Sequence, residues 1–244
     1  MRWFKPDVVD YVGDQSDQFC FSRWSEGRPA EFLEQIKKAQ KEDAPDPVEQ
    51  MILAASQEEE KPVKEFYEQT RKILKNAELF VALGNHDIRA FDYFEKKIPD
   101  MAAQITPESL WGLDSLGYGY IYYNQRPKHR FGDIYVHHGV SISKHGGESV
   151  RNDVDNFGVS LVRGHSHRLA SFSRSYPLRN ETLRGYELGH MMDIHHEGAS
   201  YDNVHNWQQG FAIAHIENGN YPHIQLIQVS PDYTCFVDGK KFSA

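Results

Sequence analysis

The sequence predicts an α/β fold, and two observations carry that expectation. Short apolar runs recur, each ending in glycine or histidine and further polar residues: DYVGDQSD, FVALGNHD, IYVHHG and LVRGHSH. Helix-patterned segments separate at least the first two of these runs, as expected of parallel strands joined by crossovers.

Residues 7–12 read as the first strand, β-branched and aromatic and closed by Gly13. A long excursion over about 26–76 follows, rich in Glu, Lys, Gln and Ala. Within it Phe32, Leu33, Ile36 and Ala39 share one helical face, with Pro29 near its start. The KEDAPDP stretch interrupts the pattern. Val48, Met51, Ile52 and Ala55 then mark a second helix, and Val63, Phe66, Tyr67, Thr70 and Leu74 a third. The charged faces of these helices are read as solvated surface.

Residues 79–83 read as a buried strand, and FDYFEKK as a short helix after the GNHD loop. The middle of the chain is looser and aromatic-rich. GDIYVHHG and VSLVRGHSH supply two further strands, with a helix over about 147–156 between them. The tail contains strand-like segments at 211–216, 224–229 and 234–237, expected as antiparallel additions. With 244 residues and neither repeat nor low-complexity tract, one domain over 1–244 is the simplest expectation.

Composition narrows the function. No apolar stretch approaches the roughly 18 residues that a membrane helix needs, and the start has no secretory pattern, so a cytoplasmic protein without a membrane partner is expected. Two cysteines, Cys20 and Cys235, suggest neither a disulfide framework nor a thiolate metal site. A net charge of −8 argues against broad capture of nucleic acid, but bound cations could still reverse the field inside a pocket. Histidine is the unusual component, because several of the 13 fall in tight groups after apolar runs.

Parallel sheets place ligand sites outside the carboxyl ends of their strands. Four such endings could therefore meet around one pocket. The side chains they would deliver are Asp14, Asn85, His86, His138, His165 and His167, with Asp17, Asp87 and His137 nearby. Carboxylate, amide oxygen and imidazole suit a borderline divalent ion such as manganese, iron or zinc. Each ending taken singly is ordinary turn chemistry; four in one chain favour a metal site.

These motifs resemble the calcineurin-like metallophosphoesterases, and in particular the small phosphoesterases of phages and prophages. GDQSD at 13–17, GNHD at 84–87, HG at 138–139 and GHSH at 164–167 occur in the family's order, and NWQQGFAIAHI in the tail is also similar. The resemblance implies a four-layer α/β/β/α sandwich. It also implies two divalent ions (manganese, iron, zinc or nickel) and hydrolysis of a phosphomonoester or phosphodiester by a metal-activated hydroxide.

Carried over residue by residue, Asp14 resembles the bridging ligand. Asn85, His138 and His165 resemble ligands of the second ion, and His167 a ligand of the first; His137 is the less apt choice beside His138. His86 resembles the histidine that contacts phosphate and assists the leaving group, with Asp87 as a candidate to orient it.

One family feature is missing. No D-x-H strand precedes GDQSD, so the first strand is expected to be absent and the first metal site weak or empty. Truncation, replacement ligands from Asp17 or another subunit, and a metal-binding or structural module without catalysis are the open explanations. For an enzyme of this kind the expected substrate is a small phosphate ester or a nucleic-acid end, and the oligomeric state is unspecified. Arg89 could reach phosphate or lie at the surface. Tyr118, Tyr120, Tyr122 and Tyr123 could stack on a base or pack a strand face. Lys144 to Gly147 reads as a polar loop, either solvated or approaching phosphate.

Overall fold

The computed structural model describes residues 4–18, 60–193, 206–217 and 221–243. The helices expected around Phe32 and Val48, and Cys20, lie outside the described residues. The architecture is mixed α/β, with several separate sheets among the described residues. The chain divides into two compact units. The first takes the described residues up to Val81 together with Asn85–Tyr120, and the second takes Ala82–Gly84 and those from Ile121 onward.

In the first unit β1 (Val8–Tyr11), β2 (Glu78–Ala82) and β3 (Tyr118–Ile121) form one sheet in that order. β1 and β2 run parallel, with Val9 opposite Leu79, so GDQSD and GNHD leave the same end of the sheet. Helix α1, over 60–73, buries Glu60, Tyr67 and Thr70 and leaves Phe66 exposed. The expected face is therefore correct at Tyr67, Thr70 and Leu74 but rotated away from Phe66. The ring of Phe66 still meets those of Tyr11 and Tyr67.

Three short helices follow: α2 (Arg89–Lys97), α3 (Pro99–Ala102) and α4 (Pro107–Trp111). α4 starts at a capping box in which Thr106 Oγ1 accepts from the Ser109 amide while Ser109 Oγ accepts from the Thr106 amide. It buries Leu110 and Trp111; Phe94, on α2, is fully buried.

In the second unit β4 (Lys128–Phe131), β5 (Ile134–Val136), β6 (Ser160–Arg163), β7 (Leu169–Tyr176) and β8 (Glu181–Leu188) form a sheet in the order β4-β5-β6-β8-β7. Its three central strands, β5, β6 and β8, are parallel, and the edge strands β4 and β7 are antiparallel to their neighbours. Helix α5 (Glu148–Phe157) connects β5 to β6 and buries Val150 and Val154 against Leu161 and Leu183. The approach is close: a Cβ at Gly185 would lie 2.5 Å from Val150.

The β7–β8 hairpin was not legible in the sequence, because SFSRSY and ETLRGYEL contain too few large apolar residues to read as strands. In the tail β9 (Gly210–His215) pairs antiparallel with β10 (His223–Gln228), as expected, and β11 (Thr234–Val237) pairs antiparallel with β12 (Lys240–Ser243).

Candidate metal centre

In the first unit the loop after β1 is built on backbone hydrogen bonds to a side chain from the loop after β2. Asp87, 1% exposed, accepts from the amide of Asp14 at 2.7 Å and from that of Ser16 at 2.9 Å. In return one oxygen of the Asp14 carboxylate accepts from the amide of His86 at 2.9 Å. Buried Glu60 accepts from Ser16 Oγ and Trp111 Nε1, so α1 and α4 brace the same loop. Asp14 sits in the left-handed region, at φ 56°.

The imidazole of His86 is oriented by Asp17. Its Nδ1 lies 2.7 Å from Asp17 Oδ1, and Arg89 donates to the same oxygen at 3.0 Å and to the Asp17 carbonyl at 2.7 Å. This corrects the expectation for Asp87, whose two oxygens are engaged by the backbone of the β1 loop. Burial pushes the Asp17 carboxyl up, but hydrogen bonding to His86 and the charges of His86 and Arg89 together bring it below its ordinary value. Arg89 accordingly braces the Asp17–His86 pair. Asn85 stands next to His86 at the start of the same turn, partly buried.

In the second unit the loops after β5 and β6 bring two imidazoles together. His138 Nε2 lies 3.1 Å from His165 Nδ1, with ring centres 4.9 Å apart, and Tyr123 packs against both rings. His137 is occupied otherwise. Its Nδ1 accepts from the Gly139 amide, so its Nε2 is the protonated nitrogen that donates to the carbonyls of Tyr123 and Gln125. Burial lowers the pKa of His137 and keeps it neutral.

A buried ion pair fixes both histidine-bearing loops. Arg163, the last residue of β6, lies 2.7 Å from Asp153 of α5, and both side chains are fully buried. Asp153 also accepts from the amides of Val140 and Ser141, while Arg163 donates to the carbonyls of Ser141 and Gly164. Gly139 must be glycine here: its φ is +110°, and a Cβ would lie 2.3 Å from Arg163 Nε. The glycine of the HG motif thus leaves room for the guanidinium that braces the next loop.

His165 and His167 both adopt left-handed backbone, at φ 66° and 57°, so the GHSH loop is sharply turned. His167 points toward different neighbours from His165, meeting Trp207 at 4.7 Å and His190 at 6.0 Å between ring centres. His190 was missed in the sequence. The available signal was YELGH, another apolar strand ending in glycine and histidine. Of the tyrosines, Tyr118 is buried with its hydroxyl on the Tyr67 carbonyl, whereas Tyr123 lines the histidine cluster.

The donor set suits divalent ions. With metal–nitrogen bonds of about 2.0–2.1 Å, two imidazoles on one tetrahedral ion place their nitrogens about 3.3 Å apart, close to the separation of His138 and His165. No helix among the described residues is long and apolar enough to cross a membrane.

No protein-family model matches the chain. It is similar to the Gene 54 protein of Mycobacterium phage D29, at 27% identity over 92% of this chain and 82% of that protein. It is also similar to the Gene 54 protein of Mycobacterium phage L5, at 26% identity over the same shares of the two chains.

Proposed function

We propose that the chain is a metal-dependent phosphoesterase that hydrolyses a phosphomonoester or phosphodiester on a four-layer α/β/β/α scaffold. The observation that carries this reading is the 3.1 Å approach of His138 Nε2 to His165 Nδ1, two nitrogens suited to share an ion. The sequential order of the GD, GNHD, HG and GHSH motifs supports it. Asp14, Asn85, His138, His165 and His167 are the proposed ligands. Bound divalent ions would supply Lewis acidity and lower the pKa of water toward neutrality.

The remaining chemistry belongs to the chain. Asp17 holds the Nδ1 side of His86, which leaves Nε2 to carry a proton to the departing oxygen. Arg89 fixes Asp17 from the other side, so the imidazole is held before substrate arrives. Asp87 holds the Asp14 loop through two amides and thereby sets where that carboxylate points.

The test is hydrolysis of bis(p-nitrophenyl) phosphate in manganese, alongside a metal count by mass spectrometry. Turnover that a chelator abolishes is expected, with His86→Ala retaining metal while losing on the order of 10²–10⁴-fold in kcat. A chain that binds no divalent ion would overturn the reading. Metal bound without turnover would point instead to a metal-binding or structural module.

A further inference from the structure

In the second unit the parallel strands β5, β6 and β8 are consecutive neighbours, so three loops, not two, leave the same end of the sheet. The first delivers His138, the second His165 and His167, and the third, directly after β8, delivers His190. The third loop is fastened to the second by the main chain. Gly189 N donates to the Arg168 carbonyl at 2.7 Å, and Gln208 N to the His167 carbonyl at 2.9 Å. The same short segment is closed by His190 N on the Gln208 carbonyl at 3.1 Å and Gly210 N on the His190 carbonyl at 3.0 Å.

The approach is so close that only glycine fits at 189. Its φ is +75°, and a Cβ would lie 2.3 Å from the Gln208 carbonyl oxygen. The result is a buried imidazole, 9% exposed, set beside a second imidazole and flanked by the indole of Trp207. Two imidazoles on one tetrahedral ion have ring centres about 5.2 Å apart, given metal–nitrogen bonds of about 2.0–2.1 Å, and a wider ligand angle brings them toward about 6 Å. His167 and His190 stand at 6.0 Å.

From this geometry we propose that His190 is a metal ligand, sharing a divalent ion with His167, while His138 and His165 hold a separate ion. The inference rests on the metal-centre reading above and adds to it a ligand that none of the four motifs contains. The indole of Trp207 lies against both rings, with its centre 4.7 Å from that of His167 and 6.2 Å from that of His190.

The experiment is titration of metal-free full-length protein with Co²⁺, read by visible absorbance and by the number of ions retained per chain. Two ions are expected for the wild type. His190→Ala and the bulkier His190→Gln should each lose one ion, or bind it at least about tenfold more weakly, with the absorbance band of the other retained. His138→Ala should lose the opposite ion and keep the band that depends on His190. Two ions with unchanged affinity in His190→Gln, circular dichroism confirming its fold, would overturn the inference and leave the metal centre standing. A wild type that binds no Co²⁺ would overturn both.

Discussion

Asp14, His165 and His167 share a feature rare outside glycine: each takes left-handed backbone, at φ between 56° and 66°. Such residues cost on the order of 1–3 kcal/mol and persist where surrounding contacts over-determine them. Here Asp87 fixes the first, through the Asp14 amide, and the Arg163–Asp153 pair braces the loop of the second. At this scale Asp17 gives a prediction with a definite sign. Its folded pKa lies below the unfolded value of 3.8, so its stabilisation is present above about pH 4 and fades as pH falls through the folded value. Asp17→Asn should therefore be less stable than the wild type at neutral pH, and the difference should vanish in strong acid, as measured by urea unfolding at a series of pH values. The same variant should lower kcat, because the imidazole of His86 loses the carboxylate that holds it.

At the scale of elements, helix α5 does more than cover the sheet. Its first turn donates Val150 N to buried Glu187 of β8, its middle presents Asp153 to Arg163, and Val150 and Val154 fill the space above Gly185. Removing one partner of a buried pair leaves an uncompensated charge. Asp153→Ala should cost about 3–5 kcal/mol in chemical denaturation. It should also loosen the loops that carry His138 and His165. Gly139→Ala should destabilise by more than the 1 kcal/mol or so of an ordinary glycine replacement, since the added carbon meets the Arg163 guanidinium. Chemical unfolding of both variants alongside the wild type checks this, and near-equal midpoints would remove the bracing role from the pair.

Across the whole molecule, ions held in the folded state but not in the unfolded chain must raise stability by mass action. Manganese at 100 times its dissociation constant should add about 2.7 kcal/mol per site, seen as a higher Tm that a chelator reverses. A Tm indifferent to both additions would argue against resident ions. The candidate ligands were legible one loop at a time, because an apolar run ending in Gly and a polar cluster is a local pattern. The sequence by itself determined where β1, β2, β5 and β6 end and which donors stand there, since strand propensity and turn chemistry act over a few residues. Only the tertiary structure decided that Asp17, 69 positions away, is the carboxylate on His86. It alone placed His190 beside His167 and made Gly139 the seat of Arg163. Those pairings follow from which strands neighbour each other in the sheet and how closely their loops approach, and no local period encodes either.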